Sequence, residues 1–184
     1  MQPNVERELG DLYKAHTSEL LRFASTFHPD EQAEHDAVQE AFVRYFVERR
    51  YGRQIANPRA WLYQVVRNYM LDRLRSSAVR QEVGVEQAES VPAVQRDPET
   101  LAQRSETVRE LAAALSAREL ECLRLRSEGL SYEEIGRAMV ISSGTVAALL
   151  ARVHSKLRGF GSGRRGWTFA GTREALRYLV IEAA

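Results

Sequence analysis

One stretch of the sequence, residues 57–75, mixes aromatic, arginine and amide side chains as a site for single-stranded nucleic acid requires. Aromatic rings stack on unpaired bases, and guanidinium groups hold phosphates. The side chains with this chemistry are Trp61, Tyr63, Arg67, Asn68, Tyr69, Asp72, Arg73 and Arg75. An ordinary helix, with Trp61 and Tyr69 in a core and the arginines in solvent, explains the same composition equally well. Composition alone therefore leaves both interpretations open.

The region after residue 115 carries a second candidate site, for duplex DNA. A capping box, in which a serine starts a helix and a glutamate follows three residues later, occurs twice. The two pairs are Ser116 with Glu119 and Ser131 with Glu134. Gly129 is placed to end the first helix, and helices are then predicted over Tyr132–Met139 and Ser143–Arg158. Two helices joined by a tight turn predict a helix-turn-helix, whose second helix enters the major groove.

A third candidate is a polar face in the first half of the chain. Asp36, Gln39 and Glu40 lie at helical spacing and share one side, away from the apolar Val38 and Phe42. A solvated helix face is the commoner explanation of this spacing, and a docking surface for another protein is the alternative.

Catalytic arrangements are not found in the sequence. The histidines at positions 16, 28, 35 and 154 show no metal-ligand spacing with Cys122. The acidic group over residues 30–36 fits a solvated helix start better than a metal site. No phosphate-binding glycine loop and no nucleophile–base pair occurs. We therefore predict that the protein is not an enzyme and uses no cofactor or metal.

Three long helices are predicted to position the first-half candidates. Apolar residues recur at about 3.6-residue spacing over 9–27 and 33–46, and Asp30 is a suitable cap for the second helix. Asn57 followed by Pro58 starts the third helix, which is predicted to end at Ser76. No strand pattern occurs, so the predicted fold is all-α.

Composition divides the chain into two small helical domains. Residues 77–105 are acidic, contain two prolines and lack periodicity, which predicts a flexible linker. The domains are then predicted over 1–76 and 106–158. Residues 159–184 form a glycine- and arginine-rich segment and a C-terminal helix, which either closes the second domain or covers its recognition helix or binds a regulator.

The distribution of charge suits an adaptor protein. The net charge of the 184 residues is +1, but residues 1–43 hold nine acidic and three basic side chains, whereas residues 44–75 hold eight arginines and two acids. One patch can meet a protein and another phosphates. Cys122 is the one cysteine, which excludes an intramolecular disulfide and fits a reducing compartment. Without a signal peptide or an apolar stretch of roughly 20 residues, we expect a cytoplasmic protein that is not inserted in a membrane.

Three segments, in this order, resemble the hallmarks of one family. Residues 36–46, 57–75 and 115–158 look like consecutive motifs of extracytoplasmic-function (ECF) sigma factors, the small two-domain members of the sigma-70 family. The resemblance implies a region 2-like helical bundle and a region 4-like helix-turn-helix. It further implies a transcription initiation factor whose partners are core RNA polymerase, promoter DNA and an anti-sigma factor or other regulator.

The resemblance also implies roles for individual residues. Positions that match the family's polymerase-binding surface are Asp36, Gln39, Glu40, Phe42 and Arg44. Residues expected to bind and melt the minus-ten element are Arg59, Trp61, Arg67, Asn68, Asp72 and Arg73, with the loop over residues 50–56 at the position of the base-capturing loop. Residues expected at the minus-thirty-five element are Ser131, Tyr132, Arg137, Ser142, Ser143, Thr145 and Arg152.

The sequence departs from the family pattern in its recognition helix. Ala147, Ala148 and Leu149 stand where the family usually has a lysine, a small polar residue and an arginine, so about two phosphate contacts are missing. Val140 stands where a turn glycine is common. We therefore expect weak reading of the minus-thirty-five element, or a recognition helix covered by protein.

Two other functions remain open from the sequence. One is a helix-turn-helix regulator that binds duplex DNA without polymerase. The other is a degenerate sigma-like protein that binds polymerase or an anti-sigma factor but no longer directs a promoter.

Overall fold

The computed structural model describes residues 5–27, 31–82 and 114–161, and the regular structure of these residues is helical. Its helices are α1 (Val5–Ala24), α2 (Glu31–Arg50), α3 (Pro58–Glu82), α4 (Ala117–Ser127), α5 (Tyr132–Met139) and α6 (Ser143–Gly161). The prediction of an all-α fold is confirmed. The proposed cap Asp30, most of the predicted linker and the predicted C-terminal helix lie outside the described residues.

Helices α1, α2 and α3 pack together as a bundle. Tyr45, Tyr63, Phe23, Leu20, Leu62 and Met70 are its largest fully buried side chains. The predicted start of α3 is correct, since the Ala60 amide donates to Asn57 Oδ1 at 2.9 Å and Pro58 is the first helical residue. One residue of the predicted apolar stripe, Tyr13, is 51% exposed and lies on the edge of the core.

Helix α3 is longer than predicted. It continues past Ser76 to Glu82, into the segment expected to be linker. Neither glycine nor proline occurs between these residues, so nothing in the backbone chemistry stops the helix there.

Helices α4, α5 and α6 form the predicted helix-turn-helix domain. Both capping boxes are present, with serine hydroxyls accepting from the glutamate amides at 3.3 Å (Ser116–Glu119) and 3.2 Å (Ser131–Glu134). Gly129, with φ +80°, follows α4 as expected for a helix-ending glycine.

The turn between α5 and α6 is tight. Val140 adopts the left-handed conformation, φ 57° and ψ 49°, at the position where a glycine is common. Gly136 lies so close to the following backbone that a Cβ placed on it would stand 2.8 Å from the Ile141 carbonyl oxygen.

The two domains are packed against each other. Helix α3 contacts α5, and one cluster of buried apolar side chains continues from the bundle into the helix-turn-helix. A flexible linker had suggested separate domains; the contact was not anticipated, because the residues that make it are far apart in sequence.

Candidate protein and nucleic-acid interfaces

The polar face of α2 is exposed and extends beyond the residues found from the sequence. Gln39 is exposed, Asp36 accepts from the Gln32 amide at 2.9 Å, and Glu40 pairs with Arg44 at 2.6 Å. Val43 and Val47 continue the same side of the helix and are 57% and 43% exposed. The face therefore combines an apolar strip with charged and amide groups. Continuing the spacing of Asp36 and Glu40 by further turns would have found both valines.

Phe42 lies beneath this face rather than in it. The side chain is 5% exposed, and its ring centroid is 5.0 Å from that of Tyr13. The position carried over from the family is therefore a core position here, and Phe42 supports the α2 face instead of offering a contact surface.

The predicted single-strand site on α3 is partly open. Asn68, Asp72 and Arg73 are exposed, whereas Trp61 is half-buried with its ring 5.7 Å from that of Tyr45. In the loop before α3, Tyr51 is 87% exposed, and sequence reasoning did not single it out. The exposed ring of Tyr51 and the half-buried ring of Trp61 are therefore the candidates for stacking on a base.

Two arginines of this site are paired with carboxylates. Arg67 donates from Nη2 to Glu121 Oε2 of α4 at 2.6 Å. Arg59 donates to Glu19 at 3.0 Å and to the Glu128 carbonyl oxygen at 3.0 Å. Its pKa is raised, chiefly by the hydrogen bond to Glu19. The arginines expected at DNA are therefore engaged within the protein in this arrangement.

The minus-ten and minus-thirty-five candidates meet across a groove between the domains. Its volume is about 970 Å³. The first domain contributes Arg53 and Trp61, and the second contributes Arg137, Ser142 and Ser143. The turn of the helix-turn-helix thus faces the loop that precedes α3.

The exposed side of the recognition helix α6 is small and uncharged near its start. Thr145 and Ala148 are exposed, and the Thr145 amide donates to Ser142 Oγ at 3.1 Å, so Ser142 caps the helix. Leu149 is 4% exposed and belongs to the core. Ala148 itself is exposed, so no described residue covers that position.

The cations farther along α6 are held by a buried carboxylate. Glu119 accepts from Lys156 Nζ at 2.6 Å and from Arg152 Nε at 3.3 Å. The hydrogen bond from Lys156, followed by that from the Ser116 backbone amide, lowers the pKa of Glu119 to about 2. Arg152 is thus tied to α4, although more than half of its side chain remains exposed.

The remaining residues predicted at duplex DNA lie on α5. Ser131 is committed to the capping box, and the Arg126 guanidinium lies 5.5 Å from the ring centre of Tyr132. Arg137 is exposed beside the groove.

Arg124 was missed by sequence reasoning because it belongs to no motif. It is 6% exposed, its guanidinium carbon lies 4.6 Å from the centre of the Phe27 ring of the first domain, and its Nε has no hydrogen-bond partner. Burial lowers its pKa to about 10. A charged group is therefore enclosed where the two domains meet.

Neither a metal-binding cluster nor a single helix that could span a membrane occurs in the described residues. No group of three or more His, Cys, Asp or Glu side chains there is arranged to hold a metal ion. No single described helix is long and apolar enough to cross a membrane. Helices α5 and α6 taken together have the length and apolar composition of a membrane-spanning segment, but the pair is bent by 103°.

Comparisons with protein families agree with the two-domain division. Residues 12–80 match the family described as Sigma-70 region 2. Residues 113–159 match the family of bacterial regulatory proteins of the luxR type.

Curated relatives match most of the chain. The ECF RNA polymerase sigma factor SigL of Mycobacterium tuberculosis is 30% identical over 150 residues, which cover 80% of this chain and 83% of SigL. The ECF RNA polymerase sigma factor SigE of Mycolicibacterium smegmatis is 30% identical over 160 residues, 82% of this chain. The match spans only 60% of the length of SigE.

Solved structures share the fold. The sigma factor RpoE, crystallised with the anti-sigma factor NepR from Bartonella quintana, has a TM-score of 0.59 and 18% identity, covering 84% of this chain and 96% of RpoE. CnrH, solved with the cytosolic domain of CnrY, has a TM-score of 0.55 and 25% identity, covering 84% of this chain and 87% of CnrH. With the sigma-70 region 2 match and the similarity to SigL across both domains, these findings establish that the chain belongs to the ECF sigma factors of the sigma-70 family.

Proposed function

We propose that this chain is a transcription initiation factor that binds core RNA polymerase through α2 and opens promoter DNA with α3. The observation that carries the proposal is the similarity to ECF sigma factors over both domains, together with an open polar face on α2 and exposed base-binding chemistry on α3. Its place of action would then be the cytoplasm.

Polymerase binding is assigned to the exposed face of α2. Val43 and Val47 give it an apolar centre, and Asp36, Gln39 and Glu40 give it polar groups at one end. Protein interfaces combine an apolar core with a polar rim in this way. Phe42 contributes by holding the helix from below.

Promoter melting is assigned to α3 and the loop before it. Trp61 and Tyr51 offer ring surfaces, Asn68 offers amide hydrogen bonds to base edges, and Arg73 offers a cation to the backbone. Arg67 joins this set once Glu121 of the second domain moves away. Arg59 then loses its bond to the Glu128 carbonyl oxygen but keeps its first-domain partner Glu19.

Duplex recognition upstream is assigned to the helix-turn-helix. Ser143, Thr145 and Arg137 are exposed at the start of α6 and on α5, where a recognition helix contacts base edges. Ala148 supplies no charge, so we propose that this half of promoter recognition is weak in phosphate contacts and sensitive to base methyl groups instead.

A protein regulator is the further proposed partner. RpoE and CnrH were solved with NepR and with the cytosolic domain of CnrY, respectively. By analogy, a regulator of the anti-sigma type would bind this chain and keep it from polymerase.

The decisive experiment is transcription in vitro with purified core polymerase on genomic DNA. We expect promoter-specific transcripts that depend on this chain. Asn68→Ala combined with Trp61→Ala should reduce open-complex formation and leave binding to core polymerase intact. Because Trp61 also packs on Tyr45, the unfolding midpoint of the variant is measured alongside, and Asn68→Ala alone serves as the control without packing loss. Loss of polymerase binding in Asn68→Ala would contradict this division of labour.

A second candidate is a helix-turn-helix regulator, favoured by the luxR-type match of the second domain. It predicts tight, sequence-specific duplex binding by the chain without polymerase, together with no pull-down of core polymerase. The degenerate sigma-like protein predicts pull-down of core polymerase but no promoter-specific transcript.

A further inference from the structure

The surface between the domains carries opposite charges on its two sides. From the first domain, Arg22 pairs with Glu128, with Nη2 to Oε2 at 2.5 Å and Nε to both carboxylate oxygens at 3.1 Å. Arg67 pairs with Glu121 through two donors, at 2.6 and 3.1 Å. The Glu128 and Glu121 side chains are only 5% and 9% exposed. Arg67 is 16% exposed, so its pair is largely removed from solvent, whereas Arg22 is 50% exposed and its pair is half open to solvent. Arg22 contacts both oxygens of Glu128, which is the strong, fork-like form of an arginine–carboxylate contact, whereas both donors of Arg67 share Oε2 of Glu121.

A carboxylate that accepts hydrogen bonds from a guanidinium group resembles a DNA phosphate in its negative charge and its oxygen acceptors. The Arg67 guanidinium donates hydrogen bonds to Glu121. Arg59 donates one hydrogen bond to the Glu128 carbonyl oxygen, and its Nη1 lies 3.7 Å from Glu134 Oε2. A phosphate cannot take these positions while the glutamates hold them. The first domain thus contacts the second domain through Arg59 and Arg67, two of the arginines proposed to bind DNA.

We propose that this acidic surface of the second domain, made by Glu121 and Glu128, is an intramolecular docking surface for the first domain, and that it competes with single-stranded DNA for the arginines of α3. The DNA side of this competition rests on the role proposed above for α3. The closed arrangement itself rests on the ion pairs and the shared apolar cluster.

Arg124 limits how tightly the domains close. Closure encloses its guanidinium against Phe27, and the ring face compensates only part of the lost hydration, because Nε has no partner. Among the described residues no carboxylate is bonded to this cation, and the nearby charge of Glu121 offsets only part of the effect of burial, so Arg124 opposes the contact that encloses it. The same interface therefore contains two pairs that favour closure and one group that favours opening, as a reversible contact requires.

The two kinds of residue give variants with opposite effects. Glu121→Gln with Glu128→Gln keeps side-chain size but removes both negative charges. We expect the full-length variant to show a larger radius of gyration in X-ray scattering at low salt. It should also bind a short fluorescein-labelled single-stranded oligodeoxynucleotide of mixed sequence about tenfold more tightly than wild type, because Glu121 no longer competes for Arg67 and the loss of both ion pairs favours the open arrangement.

Arg124→Met should act in the other direction. The thioether keeps contact with Phe27 and removes the enclosed charge. At low salt we expect the variant to have the same radius of gyration as wild type. It should expand only at a higher salt concentration than wild type does, and it should bind the same oligonucleotide more weakly. Glu133→Gln is the matched control: it removes one exposed carboxylate of the same domain, for which the described residues provide no ion pair, and should match wild type in both measurements.

Unchanged scattering and unchanged oligonucleotide affinity in the double glutamate variant, with its helical content retained, would overturn the proposal. Expansion without tighter DNA binding would overturn the competition. Transcription by the wild-type chain with core polymerase, measured in parallel, separates this proposal from the proposed function. If transcription fails while both variants shift scattering and DNA affinity in the expected directions, the docking surface stands and the initiation function falls.

Discussion

Val140 is the residue whose side chain conflicts most with its backbone. A β-branched residue with φ 57° is strained, and its side chain is 73% exposed, so it gains little from packing. Val140→Gly should raise the free energy of unfolding by about 1 kcal/mol, since glycine adopts this conformation without the steric cost. Urea unfolding measures the change. Val140→Ala keeps a Cβ in the strained conformation and should gain clearly less; equal gains would show that strain is not the cause.

A lysine placed at Ala148 tests whether the recognition helix lacks a phosphate contact there. Ala148→Lys should increase the affinity of the holoenzyme for a promoter fragment and steepen its dependence on salt by roughly one unit of log K against log salt, as one added phosphate contact does. Filter binding over a salt series provides the slope. Ala148→Gln, of similar length without charge, should leave the slope unchanged. A lysine variant that folds normally with the wild-type slope would place this side of α6 away from phosphates.

Glu119 makes stability depend on pH. Its pKa falls from the usual value of 4.5 to about 2 in the folded protein, so its contribution is complete above pH 4.5 and is lost as the pH falls toward 2. Glu119→Gln keeps a capping-box acceptor but not the charge that binds Lys156. The variant should be less stable at pH 7 and lose less stability between pH 4.5 and 2. Urea unfolding across this range checks it, with Glu133→Gln as control; parallel losses in wild type and Glu119→Gln would assign the pH dependence to other carboxylates.

At the scale of elements, the close approach of α5 to the turn constrains the helix-turn-helix. Gly136→Ala places a methyl group 2.8 Å from the Ile141 carbonyl oxygen, and backbone cannot yield as a flexible side chain does. We expect a loss of about 1–3 kcal/mol in unfolding free energy and weaker upstream DNA binding. Gly144→Ala is the matched control, because its Cβ meets nothing nearer than Ser142 Oγ at 3.8 Å and alanine favours a helix. Equal stability of the two variants would contradict the constraint.

Elements with local signals were predictable from sequence. Asn57 and Pro58 mark the start of α3, and the serine–glutamate pairs mark α4 and α5, because capping depends on neighbours along the chain. The end of α3 was placed too early, since no residue between Ser76 and Glu82 forces a stop. The left-handed turn at Val140 was only suggested, by comparison with a usual glycine.

At the scale of the whole molecule, the shared apolar cluster should couple the unfolding of the two domains. We expect one calorimetric transition at low salt. High salt screens the ion pairs between the domains, and we expect it to broaden or split the transition, because the partly exposed Arg22 is the more easily screened partner. Glu121→Gln with Glu128→Gln should unfold in the same uncoupled way at low salt. Two transitions for wild type at low salt would show that the cluster does not couple the domains.

The packing of one domain on the other was beyond sequence reasoning. Arg67 and Glu121 are 54 positions apart, and Arg22 and Glu128 are 106 apart, so no periodicity relates them. The candidate site residues themselves follow from the family pattern, but whether each is open, buried or paired is a property of the assembled chain. Phe42 in the core and Arg67 on a glutamate illustrate the difference.

Arg67 pairs with Glu121 and is also proposed to bind DNA, and this pair of roles has a consequence for genetics. Under the roles proposed above, a substitution at Arg67 removes a DNA contact and also frees the second domain, so the two effects on promoter output have opposite signs. A screen for loss of activity would under-report this position, whereas a screen for suppressors of a closing variant such as Arg124→Met should return changes at Glu121 and Glu128. Mutational sensitivity in this chain is thus a poor guide to which side chains meet the promoter.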